Sequence, residues 1–172
     1  MCDGRVSFPL LCLIKLVMNK DMIFDADGQA AQTELKDQRK GAVRYMIKTY
    51  VIDTNVLIQA PYAIECFEEN NLVLPLVVLE ELDGLKKAEG EKGANARAAV
   101  RKLESYRQKG DLLQGVKLPG GGILRIEKNF VQVELPQDIP DDKPDNRILK
   151  VCKGLAETEK EGQVILVTKD IV

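Results

Sequence analysis

The chain has 172 residues, 45% of them hydrophobic and 30% charged, with a formal net charge of -2 and no histidine. That balance describes a globular domain with a real core and room for an appendage, and it excludes a disordered chain or a globally basic nucleic-acid binder. Without histidine there is no Ser-His-Asp triad, no Cys-His nucleophile and no histidine zinc site. Any chemistry must run on carboxylates, lysines, hydroxyls or a bound ion.

The four cysteines, Cys2, Cys12, Cys66 and Cys152, form no CxxC pair and lie far apart. They read as reduced thiols, which places the protein in the cytoplasm. Residues 1–45 form an N-terminal extension. Its apolar run at 8–18 is interrupted by Lys15 and too short to span a bilayer, so no membrane partner is expected. Residues 25–44 are polar without a strong period, and Met46 offers a natural start.

From 46 onward the punctuation is regular. Tyr50, Val51 and Ile52 belong to a buried strand over 48–53 that ends at Asp53; helical patterning follows over 55–69, broken at Pro61. LVLP at 72–75 predicts a second strand, and 77–87 a helix apolar at Val78, Leu79, Leu82 and Leu85. Gly90 and Gly93 mark a loop before a helix over 93–110. ILRIE (123–127) and FVQVEL (130–135) alternate around Lys128-Asn129, predicting a hairpin. An acidic, proline-rich linker at 137–144 leads to an amphipathic helix over 145–157 and a buried strand, VILVT, at 164–168. Alternating strands and helices predict an α/β fold: a central parallel sheet flanked by helices, with a β-hairpin insertion.

Four acids fall at equivalent points of this grammar. Asp53 and Asp170 follow strands, Asp145 opens a helix, and Glu80-Glu81 lies just after the strand that ends at Pro75. Each alone has an ordinary explanation, since acids favour turns and helix N-termini. Together they would crowd negative charge onto the sheet edge where open α/β folds place ligands. Such crowding destabilises the fold unless something neutralises it, and an all-oxygen set suits Mg²⁺ or Mn²⁺.

With these motifs in place the chain from 46 to 172 resembles a PIN domain, and most closely the one at the front of PhoH-like ATPases. The matching stretches are KTYVIDTNVLIQAPYAI, LVLPLVVLEELDGLK, GANAR, GGGILRIE, PDNRIL and VILVTKDI, in that order. The resemblance implies a metal-dependent ribonuclease whose catalytic and metal-binding quartet is Asp53, Glu81 (rather than Glu80), Asp145 and Asp170. It also implies in-line phosphodiester hydrolysis leaving 5′-phosphate and 3′-hydroxyl ends, with single-stranded RNA as substrate. Asn55 and Thr168 match polar positions beside the metal. Arg97, Arg147 and Lys86 are the expected phosphate contacts, drawn from a basic segment, 84–110, that also holds Lys87, Lys92, Arg101, Lys102, Arg107 and Lys109. Aromatic residues are 5% of the chain, so base stacking is not expected to set sequence preference.

Two departures from the family pattern carry expectations of their own. No GxxxxGK[ST] occurs, so the ATPase portion of the full-length relatives is expected to be absent. The sequence stops two residues after Asp170, so the domain is expected to be incomplete at its C-terminus and its metal site weakened. The alternative is a truncated, non-catalytic PIN module that binds RNA or a protein partner; self-association into a homo-oligomer is left open. A haloacid-dehalogenase-like phosphatase needs a second aspartate where Asn55 stands, and a receiver domain needs an acidic pair ahead of its phospho-acceptor strand.

Overall fold

The computed structural model describes the backbone of residues 14–18 and residues 47–136, 139–140, 143–159 and 163–169. Among the described residues six strands form one sheet: β1 (Ile14–Met18), β2 (Thr49–Ile52), β3 (Asn71–Pro75), β4 (Val116–Lys117), β5 (Ile123–Glu127) and β6 (Val164–Thr168). Their order is β1-β6-β2-β3-β5-β4. The four inner strands run parallel, while β1 and β4 pair antiparallel at the two edges. Four helices join them: α1 (Thr54–Gln59), α2 (Leu76–Leu85), α3 (Gly90–Arg107) and α4 (Pro144–Thr158), with a 3₁₀ turn at Pro61–Glu65. This is the parallel α/β sheet flanked by helices that the sequence predicts.

Every residue of β2 and β6 is buried, as is all of β3 after Asn71, so these strands carry continuous apolar runs rather than alternation. Their register pairs Thr49 with Val164 and Ile52 with Val167, which brings the residues following both strands to one edge. α1, α2 and α3 pack against one another, and α4 packs along β6. Ile52, Leu57, Leu74, Val77, Leu82 and Leu155 are among the fully buried side chains. At the opposite sheet end, Thr49 Oγ1 donates to Glu159 Oε2 at 2.9 Å and Arg125 Nη2 to Glu159 Oε1 at 2.5 Å. These bonds tie the end of α4 to two strands, well away from the carboxylates.

Two expectations need correction. The hairpin exists, but its arms are β4 and β5, joined through the glycine run at 120–122; residues 130–135 form turn and irregular backbone. Gly90 and Gly93 are not loop: they lie in the first turn of α3. A Cβ on Gly93 would sit 1.8 Å from the Ala88 carbonyl oxygen, a close approach that only glycine permits. Within the N-terminal extension, Ile14–Met18 forms β1, which pairs with β6 from Ile14 opposite Thr168 to Met18 opposite Val164. Cys66 is an exposed free thiol and Cys152 a buried one; Cys2 and Cys12 lie outside the described residues. Among the described residues no helix is long and apolar enough to cross a membrane.

Candidate functional site

The strand β2 runs straight into α1, and Asp53 stands at the junction with extended backbone, as the residue preceding the helix. Its backbone N–H donates to Val167 O at 3.0 Å, so the chain leaves the sheet only after Asp53 is fixed against β6. The side chain is buried. Its Oδ2 accepts the Thr168 hydroxyl at 2.6 Å and the Asn55 amide Nδ2 at 3.4 Å.

α2 begins immediately after β3 at the same edge. Its second turn carries Glu81, whose Oε2 accepts the hydroxyl of buried Thr54 at 2.5 Å. α4 starts with Pro144, and Asp145 sits exposed in its first turn, a position that favours an acid through the helix dipole. Asp53, Glu81 and Asp145 line an open cleft of about 340 Å³ together with Thr54, Asn55, Ile58, Gly84, Leu85 and Lys92.

Burial pushes the Asp53 carboxyl above its ordinary value. The Thr168 hydroxyl and the backbone N–H groups of Thr54 and Asn55 oppose that, and the charge of Asp145 adds a smaller upward push. The cause expected from sequence, mutual repulsion of acids, is therefore present but secondary to desolvation. Among the described residues no three acidic side chains close into a ready metal nest. They share a cleft without converging on one point. Asp170 lies outside the described residues.

The expected phosphate contacts are placed differently. Arg97 does not line the cleft; its Nη1 donates to the carbonyls of Lys86 at 2.8 Å and Ala88 at 3.3 Å, stapling the turn between α2 and α3. Lys86 pairs with Asp83. Arg147 spans from α4 to Glu80 of α2 at 3.1 Å, beside but not in the cleft lining. Sequence reasoning missed Thr54 as the holder of Glu81, and it counted Lys92 only as part of a basic run. The DTN stretch and the spacing from Gly90 were the available signals.

Residues 50–172 match the PIN domain family, so the chain belongs to that family. It is 49% identical over 132 residues to protein PhoH2 of Bacillus subtilis, a match covering 74% of this chain and 30% of that one. The PhoH2 protein of Mycolicibacterium smegmatis is 41% identical over 128 residues, covering 73% and 29%. That of Thermobispora bispora is 38% identical over 126 residues, covering 72% and 28%. The chain thus spans less than a third of the length of these relatives. PIN domains generally carry nuclease activity and use divalent metal ions.

Proposed function

We propose that residues 46–172 form a PIN domain that hydrolyses single-stranded RNA with Mg²⁺ or Mn²⁺ in the cytoplasm, at the cleft lined by Asp53, Glu81 and Asp145. One observation carries the reading: carboxylates from three separate elements, the end of β2, the second turn of α2 and the start of α4, face one cleft. No local need of any one element explains that meeting.

The donors suit the ion. All are hard oxygens, and the buried Asp53 carboxyl, pushed up by desolvation and by Asp145, is a group whose charged form a neighbouring cation would stabilise. Asp53, Glu81 and Asp145 would hold it, with Asp170 as the fourth acid implied by family resemblance. Bound there, the ion supplies an activated water and neutralises charge at the phosphate. The chain's own residues do the positioning. Thr168 donates to Asp53 Oδ2 and Thr54 to Glu81 Oε2, which fixes both carboxylates where they line the cleft. Ile58 and Leu85 contribute apolar surface to the same lining.

The test is cleavage of a labelled single-stranded RNA by the 172-residue chain. Turnover is expected with Mg²⁺ or Mn²⁺ and none with EDTA. Asp53→Asn should lower turnover by about a hundredfold or more while changing RNA affinity far less. Equal cleavage by wild type and Asp53→Asn, or RNA binding with no cleavage under either metal, overturns the reading; the second result is what a non-catalytic module gives.

A further inference from the structure

We propose that Lys92 is the residue that takes the phosphodiester backbone of single-stranded RNA in the cleft, an assignment that rests on the nuclease reading above. A polyanion laid over three carboxylates needs a positive group on the cleft wall. The basic segment offers many cations, and the structure commits most of them elsewhere. Arg97 is bonded to two backbone carbonyls, Lys86 to Asp83, and Lys102 to Glu65 at 2.7 Å. Arg107 is held by Glu104 at 2.6 Å, and the Lys109 ammonium sits 4.6 Å over the Tyr106 ring. Arg147 is paired with Glu80.

Lys92 differs in both respects that matter. It lines the cleft with Asp53, Glu81 and Asp145, and among the described residues it makes no ion pair. Its backbone is well anchored. Gly90, at φ 72°, opens α3 in a conformation that glycine accepts readily, and Gly93 seats the same turn against the Ala88 carbonyl. Arg97 bonds that same carbonyl from one turn further along. The stem of Lys92 therefore rises from a fixed turn while its side chain is exposed to solvent in the cleft. A compact ammonium on a flexible stem suits a phosphate approached from varied angles, without the paired geometry a guanidinium imposes. Among the described residues no aromatic side chain lines the cleft, so this contact adds affinity for backbone and little for sequence.

The experiment uses the full 172-residue chain carrying Asp53→Asn, so that binding is read without turnover, and a short fluorescein-labelled oligouridylate as probe. Adding Lys92→Met should weaken binding about tenfold, the effect of losing one charge-assisted contact. It should also flatten the slope of log affinity against log salt by about 0.7, one phosphate contact on a single strand. Lys92→Arg should restore most of both, Lys87→Met outside the cleft should change neither, and the thermal midpoint should stay put throughout. Binding by Lys92→Met within about twofold of its parent at an unchanged salt slope overturns the proposal, as does absence of measurable binding by the Asp53→Asn parent. The nuclease reading fails separately. If the wild-type chain cuts no RNA with either metal yet Lys92→Met loses binding as described, Lys92 stands as an RNA contact and the nuclease reading falls. If cleavage is normal and Lys92→Met binds as its parent does, the reverse holds.

Discussion

The hydroxyl of Thr168 donates to Asp53 Oδ2 at 2.6 Å, joining two residues 115 positions apart in the chain. The contact follows from strand register. Ile52 lies opposite Val167 in adjacent parallel strands, so the next residue of each, Asp53 and Thr168, emerges at the same edge. Both side chains are buried, and the carboxyl is pushed up by that burial.

Thr168→Val keeps the shape of the side chain and removes the donor. A buried carboxylate that loses one partner costs about 1–3 kcal/mol, so the thermal midpoint should fall by several degrees. Thr168→Ser should recover most of the loss. Calorimetry in EDTA is the measurement, because it isolates the hydrogen bond from any metal. An unchanged midpoint in Thr168→Val would show that Asp53 is satisfied by its backbone partners alone.

Much of this arrangement was readable from the residues, for a definite reason. The inner strands β2, β3 and β6 are covered on both faces and so carry unbroken β-branched and leucine runs, and an acid that ends such a run is conspicuous. The failures share a cause too: sequence pattern reports what a side chain needs, not which neighbour supplies it. FVQVEL alternates like a strand, yet Phe130 packs on Gly154 of α4 and Val133 is buried in irregular backbone, two separate demands rather than one ladder. The short arm Val116–Lys117 that does pair with β5 carries almost no signal. Charge spacing likewise showed that Arg97 is basic but not that backbone carbonyls already hold it.

Glu65 sets a pH dependence away from the cleft. Lys102 at 2.7 Å, and then the Tyr106 hydroxyl at 2.6 Å, hold its carboxyl below the ordinary value of 4.5. A group depressed in the folded state contributes stability above its unfolded pKa and loses it as pH falls through the folded one. Glu65→Gln should therefore be less stable than wild type at neutral pH. The gap should be no more than about 1 kcal/mol, since solvent screens so exposed a pair. It should close as the pH drops below 4.5. Urea midpoints across that range decide the matter, and a gap that widens in acid contradicts the sign.

Gly154→Ala sets two effects against each other. Replacing glycine inside α4 favours the helix by about 1 kcal/mol. The new Cβ, however, would lie 2.2 Å from Phe130 Cδ1, so the ring must leave its place on the helix. Overpacking of this kind costs about 1–3 kcal/mol, and the displaced ring also gives up apolar burial. The clash should win, lowering the thermal midpoint by a few degrees. In a Phe130→Ala background the same Gly154→Ala change should instead stabilise. A stability gain with Phe130 present would mean the ring moves freely, and its packing on α4 would then carry little weight.

Arg97 separates a structural cation from a substrate-binding one. Its guanidinium bonds the carbonyl of Lys86, the residue capping the end of α2, and that of Ala88 in the turn before α3. Carbonyls at a helix end lack intrahelical partners, and a cation there satisfies them and complements the dipole. The turn so fixed connects the helix bearing Glu81 to the one bearing Lys92. Arg97→Met should cost about 1–2 kcal/mol, the value of charge-assisted bonds reduced by exposure, and appear as a lower thermal midpoint. Arg97→Lys should recover part of the loss, because both carbonyls are met by one nitrogen, Nη1, and an ammonium also carries several donors. RNA affinity, measured well below the midpoint, should change by no more than about twofold and keep its salt slope. If Arg97 instead met phosphate, as the basic segment around it predicts, the pattern would invert: affinity would drop about tenfold, the salt slope would flatten, and the midpoint would hold. The two outcomes share no observable, so one binding titration and one melting curve on Arg97→Met distinguish a staple from a substrate contact.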